Sequence, residues 1–325
     1  MTKQRDYAID FLKFFAALLI TNSHLDGFEP AYPLSTGGSF GDALFFFCSG
    51  YTLFLGSMGR FDNWYGRRLR RIFPPVICWG IVAALCFGSQ DTVGQVVTKG
   101  GGWFVQCILI YYLLAYPIRR FLARRLWLVG AATAVVTCVW FALTPKAGGF
   151  VLYGWNYCKW AAFFLFFLQG AALGLRATQA PTGRRPRFWP SLGGLLASAA
   201  LWYGLLYAQT RLHWPLAVQL LTLVPLLGFS FCFFRWCKSR PMEACFRHRL
   251  LHPAIRTVGG LCFEVYIVQI TLLNSVSLPL AYPLNVAAMW GLIFLWAYVL
   301  HVCTNFFVQT LRSEGYDWKK ILSVY

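Results

Sequence analysis

Long apolar runs separated by short basic segments dominate this chain of 325 residues. A helix needs about 20 mostly apolar residues to cross the hydrocarbon core of a bilayer, and most of the runs approach that length. Hydrophobic residues make up 58% of the chain and charged residues only 12%, which is too little charge for the surface of a soluble protein of this size. The sequence therefore predicts an all-α, polytopic integral membrane protein.

The apolar runs predict about ten transmembrane helices in a single domain over residues 1–325, with no appended soluble domain. The second and fourth runs are short, so their helices are expected to be tilted or partly re-entrant. The predicted spans are Tyr7–Leu25, Gly41–Ser57, Ile72–Gly88, Trp103–Ile118, Leu126–Leu143, Tyr157–Leu175, Trp189–Tyr207, Trp214–Phe234, Val258–Asn274 and Pro283–Val308.

The distribution of Lys and Arg predicts the orientation of these helices, because cytoplasmic loops are enriched in both residues. With a cytoplasmic N-terminus, alternate loops collect most of the 29 basic residues, and only Lys99, Lys146 and Arg211 fall in loops on the other side. Both termini are therefore predicted to be cytoplasmic. The net charge of +18 belongs to this pattern, and no nucleic-acid partner is expected.

The first apolar run holds three ionisable residues, Asp10, Lys13 and His24. Such groups are costly inside a membrane helix and are therefore candidates for function. On a continuous helix, Lys13 and His24 lie within about 20° of each other and about 16 Å apart along the axis, with Asp10 on the same side. An interfacial ion pair of Asp10 with Lys13 and an interfacial His24 are the structural alternatives. The shared face favours a catalytic site of these three residues.

Other polar residues in or near the spans are candidates for substrate binding. Asp26 and Asp42 lie near the outer ends of the first two helices and are expected to orient His24 or to bind hydroxyl groups. Glu264 falls within the ninth span, where the cost of its charge predicts a partner or a polar cavity. His301, in the tenth span, is expected to hydrogen-bond to another helix.

Small residues in the second span predict close helix packing. Ser49 and Gly50 would allow two backbones to approach, as small residues do in membranes. A serine nucleophile is the alternative, but no neighbouring base is evident. The eleven cysteines form no C-x-x-C pair, so neither a metal site nor a disulfide framework is expected.

Four arginines form the densest basic cluster on the predicted cytoplasmic side. They precede the third span and are predicted to open its helix, an arrangement that suits phosphate recognition. Simple positive-inside anchoring is the alternative explanation. The cluster consists of Arg67, Arg68, Arg70 and Arg71.

Segments of the chain resemble, in order, the motifs of the acyltransferase 3 family. That family carries Arg or Lys, ten residues and then His in its first helix, which resembles Lys13 and His24 here. The F-F-x-x-S-G-[FY], R-R-x-x-R-[IL]-x-P and W-F-x…Y-Y-L-L motifs resemble residues 45–51, 67–74 and 103–114. A weaker likeness over residues 259–269 departs from the family at its last position, where Gln269 stands in place of the usual His.

The resemblance implies an O-acyltransferase of the bacterial surface-glycan type in the plasma (inner) membrane. The donor would be acyl-CoA, most often acetyl-CoA, and the acceptor a hydroxyl of a surface polysaccharide or lipid-linked glycan. The arginine cluster would then hold the phosphates of CoA. His24 would act either as a general base or as an acylated nucleophile, and the residues leave both open. The alternative function is a glycan or metabolite carrier without chemistry.

Overall fold

The computed structural model describes residues 6–31, 34–145, 151–154, 157–179, 185–249, 251–312 and 315–324; Lys146 lies outside them. Over these residues the regular elements are helices without any strand, which confirms the all-α prediction. A 3-10 turn covers Ala123–Arg125. The helices are α1 (Tyr7–Asn22), α2 (Gly38–Leu55), α3 (Phe61–Phe87), α4 (Val93–Lys99), α5 (Gly102–Phe121), α6 (Leu126–Leu143), α7 (Cys158–Gln179), α8 (Phe188–Arg211), α9 (Val218–Cys237), α10 (Arg240–Phe246), α11 (Leu251–Gly260), α12 (Cys262–Ser275), α13 (Leu284–Thr310) and α14 (Trp318–Leu322).

Among the described residues, six helical segments are long and apolar enough to cross a membrane: α3, α6 with its 3-10 turn, α7, α8, α9 and α13. The helices α11 and α12 meet at an angle of 64° and add a seventh crossing if they form one span. The remaining three predicted spans overlap α1, α2 and α5. Every predicted span thus overlaps a helix, while length and hydropathy alone support six or seven crossings.

Local sequence signals explain where several helices begin and end. Gly88 ends α3 with a φ of 66°, and its N–H donates to the carbonyl of Ala83. Glycine suits this left-handed position because it has no Cβ. The helix α4 begins with a capping box, in which the Thr92 side chain accepts from the backbone N–H of Gln95 and the Gln95 side chain accepts in return.

The described helices belong to two compact units of the chain. Unit 1 consists of Met1–Ala16, Ser39–Ser57 and Leu113–His252. Unit 2 consists of Ala17–Gly38, Met58–Tyr112 and Pro253–Tyr325. The helix α1 contributes its first part to unit 1 and its last part to unit 2, and α5 contributes to both units as well.

In unit 1, α2 and α7 pack backbone against backbone. A Cβ added to Gly50 would lie 1.9 Å from the carbonyl oxygen of Phe167, and one added to Gly170 would lie 2.0 Å from that of Phe47. Only glycine tolerates contacts this close. The prediction that Gly50 serves helix packing is therefore confirmed.

Arg119 of α5 closes the C-terminal end of α2 within unit 1. Its Nη1 donates to the carbonyl of Leu53 at 2.6 Å, and its Nη2 donates to the carbonyl of Gly56. The last carbonyls of a helix have no partner within the helix, so the guanidinium satisfies acceptors that would otherwise be exposed to an apolar surrounding.

In unit 2, the C-terminal segment is bound to α13 through backbone carbonyls. The Tyr298 hydroxyl donates to the carbonyl of Leu322 at 3.1 Å, and Asn305 Nδ2 donates to that of Ile321 at 3.2 Å. The Ile321 side chain is fully buried, and a Cβ on Gly260 would lie 2.8 Å from Val324. The tail is therefore an integral part of the unit.

Candidate active site

His24 lies in the turn that follows α1, since the helix ends at Asn22 and the predicted span at Leu25. The N–H of His24 donates to the carbonyl of Thr21 at 3.0 Å, an i to i−3 bond that tightens the chain beyond the helix. Asn22 Nδ2 holds the following loop by donating to the carbonyl of Leu34 at 2.7 Å.

This early helix end corrects the argument for one shared helical face. Helical rotation of 100° per residue does not extend to His24, so the argument from a continuous helix no longer supports an alignment of His24 with Lys13. His24 is exposed in the loop, and Asp26, two residues further along, is exposed as well. Both belong to unit 2.

Asp10 and Lys13 lie in the part of α1 that belongs to unit 1. The Asp10 side chain is buried, with 7% of its residue surface exposed, and Lys13 is half-buried. A neighbouring carboxylate that sequence reasoning missed is Asp6, which forms an ion pair with Lys238 at 2.5 Å. Asp6 also accepts a hydrogen bond from the hydroxyl of Tyr51 at 3.4 Å.

Asp42 of α2 lies in unit 1, where the positive charge of Lys159 acts on its carboxyl group. The sequence predicted that Asp42, like Asp26, orients His24 or binds hydroxyl groups. The structure assigns Asp42 to the other unit, and within that unit its charged partner is Lys159.

Glu264 and His301 form a buried pair between α12 and α13 in unit 2. Their side chains are 11% and 15% exposed, and His301 Nδ1 lies 3.2 Å from Glu264 Oε1. The expected partner for Glu264 and the expected interhelical bond of His301 are thus confirmed, in one contact. His301 Nε2 lies 2.9 Å from Asn305 Nδ2 and 3.1 Å from the carbonyl oxygen of Ser323, so both ring nitrogens have polar neighbours. Oε2 of Glu264 is buried and has no hydrogen-bond partner among the described residues.

Gln269 of α12 contacts the last turn of α1 in unit 2. Its Oε1 accepts a hydrogen bond from the hydroxyl of Thr21 at 2.7 Å, and both residues are fully buried. The amide Nε2 is also buried, with no hydrogen-bond partner in the part of the chain that the structure describes. Sequence reasoning singled out Gln269 as a departure from the family motif, but it missed Thr21.

The four arginines lie inside α3 rather than at its start. The helix begins at Phe61, so Arg67 to Arg71 occupy its second and third turns, beyond the free N–H groups of the first turn. The prediction that the cluster opens a helix is therefore wrong. The guanidinium of Arg68 stacks 4.4 Å above the ring of Trp64, whereas Arg67, Arg70 and Arg71 are exposed.

A family model described as an acyltransferase domain matches residues 6–308, which is nearly the whole chain. The matched range includes α1, the four arginines, and both Glu264 and Gln269. Every residue of the candidate site therefore falls within the match. Comparisons with curated proteins and with solved structures find no match.

Proposed function

This chain belongs to the acyltransferase 3 family, and on that premise we propose that it transfers an acetyl group from cytoplasmic acetyl-CoA to a hydroxyl of a surface polysaccharide or lipid-linked glycan. The match over residues 6–308 carries the assignment as a membrane acyltransferase. The motifs around Lys13 and His24 support the choice of acetyl-CoA as donor and of a glycan as acceptor.

The proposed chemistry centres on His24. A hydroxyl oxygen attacks the thioester carbonyl, the C–S bond breaks, and CoA leaves as the thiol. An imidazole has a pKa near neutrality, so it can take the hydroxyl proton and pass it to the sulfur. The other route forms an acetyl-imidazole first and then transfers the acetyl group to the hydroxyl. The exposed position of His24 in its loop supports access of an acceptor from outside the helices.

The other candidate residues have supporting roles in this proposal. Asp26 orients the imidazole or binds the acceptor, and Asp42 binds acceptor hydroxyls. Asp10 and Lys13 of α1 are proposed to take part in catalysis. The second oxygen of Glu264, which has no partner among the described residues, supports a contact with a substrate hydroxyl.

We propose that the protein crosses the inner membrane ten times, with both termini in the cytoplasm. The overlap of every predicted span with a helix supports ten crossings, and the alternating Lys and Arg residues support the orientation. Single cysteines placed at Gly59 and Gly27, in a variant without native cysteines, should react with a membrane-impermeant reagent from opposite sides. Labelling of both positions from the same side would contradict this topology.

The exposed arginines of α3 are proposed to bind the phosphates of CoA, while Arg68 supports the helix through Trp64. Replacing Arg70 and Arg71 together by alanine should weaken acetyl-CoA binding by on the order of tenfold at low salt, because two charge-assisted contacts are lost. The difference should shrink as salt rises, since added ions screen exposed charges. Isothermal titration with the purified protein at two salt concentrations measures both effects.

Replacing Arg124 and Arg125 by alanine gives the matched control, because these residues also form an adjacent pair of exposed arginines. Donor affinity should stay at the wild-type value in that variant. Equal losses of donor affinity in the two double variants would mean that the arginines of α3 attract the donor only through their general charge. They would then not form part of the donor site.

The experiment that tests the function is transfer of radiolabelled acetyl from acetyl-CoA to candidate glycans by the purified protein. Formation of labelled glycan would establish acetyltransferase activity, provided that no labelled product forms when the glycan is omitted. Glycan transport into proteoliposomes without any labelled product would instead favour the carrier.

A further inference from the structure

The amide of Gln269 presents a buried donor in unit 2 that the structure leaves without a hydrogen-bond partner among the described residues. One end of the amide is fixed, because Oε1 accepts from the hydroxyl of Thr21 at 2.7 Å. The other end, Nε2, carries two N–H groups and lies fully inside the protein. A buried donor left unpaired typically costs about as much as a lost hydrogen bond, so the position indicates a ligand group that accepts.

The turn that holds this amide is also the turn that positions His24. Thr21 bonds Gln269 with its side chain and accepts the N–H of His24 with its carbonyl, at 3.0 Å. One residue therefore links the two functional groups. All three residues belong to unit 2.

We propose that Gln269 is a further catalytic residue, whose Nε2–H donates to the carbonyl oxygen of the donor thioester. The inference rests on the proposed acetyl transfer and assigns the carbonyl contact within it. When the acceptor oxygen attacks, the C–O bond forms and the π electrons move onto the carbonyl oxygen. Nε2–H stabilises that negative charge until the C=O bond re-forms and the C–S bond breaks, with the hydroxyl proton going through His24 to sulfur. A neutral amide donor aimed at a developing oxyanion is an established means of lowering such a barrier.

Donor analogues test the carbonyl contact directly. S-ethyl-CoA carries the same two-carbon group as acetyl-CoA but lacks its carbonyl oxygen. Wild-type protein should bind acetyl-CoA about three- to tenfold more tightly, the usual value of one net hydrogen bond. In Gln269→Met, which keeps the length of the side chain without a donor, this preference should disappear.

The rate of acetyl transfer is the second readout. Removal of one oxyanion donor lowers kcat by about 10²–10³-fold in enzymes of this chemistry, and we expect a loss of that size in Gln269→Met, together with a rise of about three- to tenfold in the KM for acetyl-CoA from the lost ground-state contact. Gln269→Leu also lacks a donor, so it should lose the rate as well. Thr21→Val, which frees the amide to rotate, should lose a smaller factor.

Gln169 in unit 1 provides a matched control, because it is also a glutamine in a helix but has partners at both ends of its amide. Its Nε2 donates to the carbonyl of Leu227 at 2.9 Å, and its Oε1 accepts from Ser230 at 2.6 Å. Gln169→Met should lower thermal stability while the preference for acetyl-CoA over S-ethyl-CoA stays at the wild-type value.

The outcomes separate the inference from the function on which it rests. A wild-type protein that transfers acetyl, together with folded Gln269→Met and Gln269→Leu variants of unchanged rate and analogue preference, would overturn the role of Gln269 alone. A wild-type protein that neither binds nor transfers acetyl would overturn the proposed function and this inference together. Because two variants with side chains of different shape are measured, misfolding of one still leaves a decisive comparison.

Discussion

Replacing His24 by alanine is expected to lower acetyl transfer by about 10²–10⁴-fold, the usual contribution of a general acid–base group. A nucleophilic role would give a loss at least as large, because no covalent intermediate could form. Donor affinity should change little, since the phosphates are proposed to bind the arginines of α3. Transfer of radiolabelled acetyl and titration with acetyl-CoA measure the two quantities on the same preparation.

A glutamine at position 24 separates chemistry from structure. It can form hydrogen bonds but cannot titrate near neutral pH, so His24→Gln should be as inactive as the alanine variant. His213 offers a matched control, because it is likewise an exposed histidine in a loop, between α8 and α9. His213→Gln should retain the wild-type rate. A wild-type rate in His24→Gln would make His24 a structural residue and refute the proposed mechanism.

Replacing Gly170 by alanine is expected to destabilise the protein by about 2–3 kcal/mol, at the upper end of typical overpacking costs. The added Cβ would lie 2.0 Å from the backbone oxygen of Phe47, so α2 and α7 must move apart. Separation of two backbones also removes their close van der Waals contacts, which hold helices together in a membrane. Thermal unfolding of the purified protein in detergent reports the change.

Gly204→Ala is the control for this substitution, because nothing lies within 4 Å of a Cβ added at that position of α8. Alanine favours helix over glycine, so this variant should be as stable as the wild type or slightly more stable. Combining Gly50→Ala with Gly170→Ala should cost less than the sum of the single changes, since the first already separates the helices. Additive losses would mean that the two glycines act at independent contacts.

The apolar pattern of the sequence predicted the location of the helices better than their ends. Each predicted span overlaps a helix, because an apolar run in a membrane must satisfy its backbone groups internally. The third span was expected from Ile72, but α3 begins at Phe61, because a helix does not need apolar residues and arginine is a good helix former. Hydropathy therefore cannot detect the first turns of α3.

The candidate site was predictable residue by residue but not as a set of contacts. Glu264 and His301 each stood out as polar groups in apolar runs, and only the packing of α12 on α13 makes them partners. The helix α1 ends at Asn22, whose side chain bonds to a loop more than ten residues away, and helical periodicity alone could not show that His24 lies beyond this end. Thr21 was missed because a lone threonine in an apolar helix carries no signal by itself.

Unit 2 takes its segments from the beginning, the middle and the end of the described chain, so its contacts close in a fixed order during synthesis. Thr21 and Gln269 are 248 residues apart, which at about 5–20 residues per second places the arrival of Gln269 about 10–50 s after that of Thr21. During this delay the hydroxyl of Thr21 can bond to the carbonyl of Ala17, one turn earlier in α1. Threonine at position 21 thus lets the helix wait in an apolar surrounding without an unsatisfied donor.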